Sequence, residues 1–261
     1  MSGTKDTEGQ YMYCIIRSLE PRQFTTRGIG ERGDVVYTVH YRDLALAAVV
    51  SDSAVTEYGS SRRNMMAHTL VLEEVMHEYT ILPVRFGIVA PSVKAIQEKV
   101  LQQRYDELDS LLVEMQGRVE LGLKAFWYEN VIFQEIVDEN PPIRRLRDGL
   151  TGRSAEETYY ERIRLGEAIE SAMWKKRDED AEKILSTLRP LVCRTVGNKV
   201  ITDRMVLNDA FLVEEKRQPE FDAAVDKLDE KMGKRMIFKY VGPVPPYNFV
   251  NIVVQWDSDG G

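Results

Sequence analysis

A chain of 261 residues with 43% hydrophobic residues suits one large or two modest domains, with enough apolar content for a sizeable core. Charged residues make up 30% and sum to −7, a sign that opposes a general role on nucleic acid or on an anionic membrane. No apolar run approaches the ~20 residues needed to span a bilayer, and the polar start MSGTKDTEGQ lacks a signal-peptide core; the expectation is a soluble, cytoplasmic protein without nucleic-acid or lipid partners.

In chain order, residues 1–9 read as a disordered start. YMYCIIRSL (11–19), VVYTVHY (35–41) and LALAAVV (44–50) read as strands, being short, rich in β-branched and aromatic residues, and bounded by turn signals. Ser60-Ser61 offers a cap for a helix ending near Tyr79, and ILPVRFGIV (81–89) is the next strand. After Pro91-Ser92, Val93, Ile96, Val100, Leu108, Leu111 and Met115 form the stripe of an amphipathic helix, and 119–127 alternates as a half-buried strand. These elements predict an α+β fold whose N-terminal domain, 10–127, is a modified ferredoxin-like layer with helices on one face.

The second domain, 128–257, is expected to open with a helical segment, 128–190, broken at Pro141-Pro142. Ser154-Ala-Glu-Glu157 is a capping box for a long helix reaching Leu188, with Trp174, Ala181, Leu185 and Leu188 on its packed stripe. A smaller β-α-β-β unit, 205–256, follows: a strand at 205–213, a helix carrying Phe221, Val225, Leu228 and Met232, and strands at 235–242 and 249–256 joined by the stiff turn VGPVPPYNFV (241–250). Residues 258–261 read as a frayed end.

No motif points to catalysis. Gly28-Ile-Gly-Glu-Arg-Gly33 spells the dinucleotide fingerprint, but a polar stretch precedes it and a strand follows, where the chemistry needs a strand and then a helix N-terminus. It reads as a turn. Glu74-Val-Met-His77 has the spacing of a di-iron pair, yet His40 and His68 do not complete a second one. The basic cluster Arg144-Arg-Leu-Arg147 with Arg153 sits beside Asp148, Glu156 and Glu157 and reads as internal ion pairing. Cys14 and Cys193 lie in apolar runs and are expected as buried, reduced thiols. The expected sets of catalytic, cofactor-binding and metal-ligating residues are therefore empty.

Two stretches carry a resemblance. ILPVRFGIVA (81–90), with Leu82, Pro83, Arg85, Phe86 and Gly87, and KYVGPVPPYNFVNI (239–252), with Gly242, Pro243, Pro245, Pro246, Tyr247 and Phe249, resemble the signature segments of the gas vesicle protein L/F family. YRDLALAAVVSD (41–52), GRVELGLKAFW (117–127) and DAFLV (209–213) extend the likeness in family order over nearly the whole chain, while Val244 and Asn248 depart from the family pattern. F-type and L-type both stay open, with F-type favoured. The resemblance implies a non-enzymatic accessory protein of gas vesicles that contacts the hydrophobic shell protein and other accessory proteins, and a structural role for the signature residues. The N-terminal sheet is the expected contact surface, since a split five-strand layer should leave an edge. A ligand-sensing regulatory module is the alternative class.

Overall fold

β1 (Gly9–Arg17) is the spine of the first sheet, and every residue from Gly9 to Ile16 is buried. Successive strand residues point to opposite faces, so both faces of β1 are covered. This corrects the expected one-sided layer. The signal was already present in YMYCII, which runs apolar without alternating.

In this computed structural model residues 9–254 and 256 are described; residues 1–8 of the expected disordered start and 258–261 of the expected frayed end lie outside them. Around β1 the antiparallel sheet also contains β2 (Gln23–Phe24), β3 (Val36–His40), β4 (Leu46–Ser53), β5 (Ile81–Pro83) and β6 (Val89–Ala90). Its order is β2-β3-β4-β1-β5, with β6 also on β1. Gly9 already pairs with Ser53, and a bulge interrupts the β1–β4 register between Met12 and Cys14.

Helix α1 (Arg62–Met76) is capped by Ser61, whose side chain accepts from the Asn64 amide, and it packs on β1 and β5. The expected single strand over 81–89 is two short ones. Gly87, at φ 90°, turns the chain between them, a conformation that favours glycine. The next helix is not continuous either. A first turn, α2 (Val93–Ala95), passes into a π-helical stretch (Ile96–Gln102) and then into α3 (Tyr105–Met115). The irregular stretch resets the helical phase, so Leu112 and not Leu111 faces the core beside Leu108 and Met115.

Packing assigns residues up to Glu120, together with those from Pro243 onward, to one unit, and Leu121–Gly242 to another. The expected boundary near 127 therefore falls earlier, and the chain end does not belong with the second unit. β7 (Arg118–Trp127), expected in the N-terminal layer, lies instead in a four-stranded sheet of order β10-β7-β9-β8. Its alternation of buried Leu121, Leu123, Ala125 and Trp127 says that one face is covered, not which sheet it joins. The other strands are β8 (Arg194–Gly197), β9 (Met205–Glu214) and β10 (Met236–Val244). No strand follows β10 in the described part of 249–256. Pro246 accepts from the amides of both Phe249 and Val250, so the chain closes into a turn where a hairpin partner was expected.

Between β7 and β8 run α4 (Glu129–Glu139), α5 (Pro141–Asp148) and the 30-residue α6 (Tyr159–Leu188). Ser154 does accept from the Glu157 amide, but only across an isolated turn before α6 begins. The buried stripe of α6 is Met173, Asp180, Ile184 and Leu188: Leu188 is buried as expected, but the other three each lie one residue before the expected Trp174, Ala181 and Leu185, and Trp174 is 58% exposed. Asp180 hides the true phase, because a buried carboxylate reads as a surface position. Trp127 Nε1, Arg235 Nη2 and Lys183 Nζ all donate to it at 3.0 Å. In α7 (Gln218–Met232) the expected residues Phe221, Val225, Leu228 and Met232 are all buried. Cys14 is buried, but Cys193 is exposed, where it leads into the edge strand β8.

Candidate functional site

The two signature segments, far apart in sequence, meet in the first unit. Val84, just after β5, bridges in parallel to Ile252, and the Arg85 amide donates to the Ile252 carbonyl at 3.4 Å. Leu82 and Pro83 are buried in β5, while the Arg85 side chain is exposed. Phe86 is half-buried and meets Tyr11 and His68 edge-on, at 6.3 and 5.6 Å between ring centroids.

Gly87 donates its amide to the Tyr11 hydroxyl at 3.1 Å, and that hydroxyl lies 3.0 Å from His68 Nδ1. With the Tyr11 oxygen accepting from Gly87, its proton is free for Nδ1. His68 Nε2 is then left buried without a hydrogen-bond partner. Burial holds the His68 pKa down at about 4, so the ring is neutral near pH 7. Tyr13 stacks on the same ring at 5.6 Å and accepts from the Ile29 amide at 2.7 Å. That bond fixes the Gly28–Gly33 loop as a turn against the sheet. Glu74 accepts from the amides of Thr25 and Thr26, at 2.8 Å each, and is tied into the fold. Among the described residues there is no group of three or more His, Cys, Asp or Glu side chains placed to hold a metal.

The proline loop docks on this unit. β10 reaches Gly242, whose φ of 142° favours glycine, and the chain enters the first unit at Pro243. Pro245 and Phe249 are buried and Pro246 is half-buried. Asn248 donates to the two carboxylate oxygens of Glu120, from its backbone amide at 2.9 Å and from Nδ2 at 2.6 Å. Glu120 is 3% exposed; burial raises its pKa and the two Asn248 bonds oppose the rise. Farther on, Arg104 Nη1 donates to the Val253 carbonyl at 3.0 Å. Sequence reading missed Glu120, because a charged residue in an alternating strand looks like its solvent side.

Tyr247 is the outward member of the loop. It is 42% exposed, and its hydroxyl lies beside Thr69 of α1. Thr69 also lines a groove of about 610 Å³, together with Ser60, Arg62, Met65, Met66, Leu70 and Glu73. Met65, Met66 and Leu70 are 50%, 54% and 50% exposed, an apolar face on a helix whose other side is buried through Val71, Leu72 and Val75. The expected sheet edge is a poorer surface. β2 closes one side with two residues, and the other side is short and continues into the contact with Ile252.

Comparison with known proteins agrees with the resemblance. Residues 9–251 match the family model described as gas vesicle synthesis protein GvpL/GvpF. Gas vesicle protein F of Nostoc sp. is 27% identical over 94% of this chain and 99% of its own. Gas vesicle protein F of Streptomyces sp. is 32% identical over 92% and 98%. The crystal structure of GvpF from Anabaena sp. superposes with a TM-score of 0.82 at 27% identity, covering 95% of this chain and 100% of that one. The F names agree with the favoured type.

Proposed function

The chain belongs to the gas vesicle synthesis protein family GvpL/GvpF, and from that premise we propose that it is a non-enzymatic accessory protein that binds the apolar shell protein and assists nucleation or assembly of the vesicle wall. The observation that carries this reading is the α1 face of Met65, Met66 and Leu70, open to solvent beside Tyr247. A subunit destined for a gas-tight wall carries apolar surface that aggregates when free in water. A cytoplasmic partner that covers this surface until the subunit enters the wall keeps it productive. Methionine side chains are flexible and polarizable and adapt to such a partner. Tyr247 adds an aromatic body with a polar tip, suited to a contact with a wet rim. On this reading the signature loop anchors itself through Pro245, Phe249 and the Glu120–Asn248 pair and presents Tyr247. Other accessory proteins of the vesicle are further partners.

The test is co-purification of the shell protein with the full-length chain, wild type against Met65→Ser/Met66→Ser/Leu70→Ser. The three side chains are about half exposed, so melting should change little while shell-protein recovery falls. Recovery equal to wild type would exclude this face. Failure of the wild type itself to retain shell protein would exclude the function.

A further inference from the structure

A second groove is built wholly from the Leu121–Gly242 unit. About 510 Å³ in volume, it lies between α6 and α7 and is lined by Lys183, Thr187, Lys227, Leu228, Lys231, Met232 and Arg235. Four of those seven residues are cations and none is an acid, in a chain of net charge −7. Two of the cations are already in use. Arg235 pairs with Glu135 and with Asp180, and Lys183 pairs with Asp180. Lys227 and Lys231 have no ion pair among the described residues, and both are exposed. They stand one helical turn apart on one face of α7, so both side chains reach the same groove. Lys231 lies in the last turn of α7, where a cation also favours the helix dipole; Lys227 is a turn earlier and lacks that role.

We propose that this groove docks an acidic, amphipathic segment of a partner protein. Its apolar side chains would rest on Leu228 and Met232, and its carboxylates would meet Lys227 and Lys231. Charge complementarity selects this occupant. The two free lysines are flexible point charges, suited to carboxylates spaced along a peptide rather than to one fixed anion. A phosphate ligand would look for converging backbone amides at a helix N-terminus. Here the cations lie toward the C-terminal ends of both helices, on their sides. The lysines sit at the solvent edge, so the attraction acts mainly on encounter and is sensitive to salt. This inference does not depend on the α1 surface.

Fluorescence anisotropy on the full-length chain tests it, using a short fluorescein-labelled helical peptide with leucine at steps of three and four and glutamate elsewhere. A peptide with glutamine in place of each glutamate is the control. The glutamate peptide should bind about tenfold more tightly than the control and weaken as ionic strength rises from about 0.05 to 0.3 M. Lys227→Gln/Lys231→Gln should remove that advantage with melting unchanged, Lys227→Gln alone should remove part of it, and Met65→Ser/Met66→Ser/Leu70→Ser should leave it intact. Equal affinity for the two peptides, or undiminished binding to the double variant, would overturn the proposal. So would competitive displacement of the peptide by inorganic pyrophosphate at matched ionic strength, which would mark a phosphate site.

Discussion

Replacing Phe249 by alanine separates anchoring from partner binding within one loop. The Phe249 side chain is nearly out of water, at 8% exposure, while the turn itself is closed by the backbone amide of Phe249 donating to the Pro246 carbonyl. Burial of such a ring contributes about 2–3 kcal/mol, and the cavity left behind brings the expected loss to about 3–5 kcal/mol. For a domain of this size that lowers Tm by about 9–15 °C. Tyr247 stands differently. At 42% exposure it has roughly two-thirds as much burial to lose, so Tyr247→Ala should cost about 1–2 kcal/mol. Its melting shift should be a few degrees, about 3–6 °C. Shell-protein binding, measured well below both melting points, should show the reverse order, with Tyr247→Ala the more damaging. Differential scanning calorimetry and co-purification on the same two variants read both orders. A Phe249→Ala protein that melts like wild type yet has lost its partner would refute the anchoring argument and make Phe249 itself the contact.

His68 should give the fold an acid sensitivity. Its pKa is about 4 in the folded chain against 6.5 ordinarily, so the unfolded chain binds the extra proton between those values. The contribution is complete above pH 6.5 and is lost as pH falls toward 4, up to on the order of 3 kcal/mol; the rings facing it, Tyr11, Tyr13 and Phe86, carry no charge in that range. Melting of His68→Gln should therefore depend less steeply on pH over this window, and parallel curves for the two proteins would contradict the assignment. In the second unit, Arg235→Ala leaves the Asp180 carboxylate buried with only Trp127 and Lys183, and urea unfolding should show a loss of about 3–5 kcal/mol. Adding Asp180→Asn should restore part of that loss; no recovery would locate it in the packing of the Arg235 stem instead.

The sequence by itself determined whatever depends on local periodicity and local chemistry. The β1, β3, β4, β7 and β9 segments, the Ser61 cap and the buried stripe of α7 all follow from spacing, because side chains three and four apart share a helix face and side chains two apart share a sheet face. The signature segments marked the family through residues the fold then uses, such as Gly87 at its turn and Phe249 at its anchor. Tertiary structure alone decided everything that depends on partners distant in sequence. Alternation in 119–127 could not say which sheet β7 joins. Asp180 and Glu120 read as surface residues, since a carboxylate is buried only when donors arrive from elsewhere: Trp127 and Arg235 for one, Asn248 for the other. The last residues read as a strand, because Val, Ile and Phe suit a ladder as well as a core. Whether they pair depends on a free strand edge at the right place; the chain instead turned at Pro246 and laid Ile252 beside Val84, just after β5, where burial was available with a single bridge and no ladder.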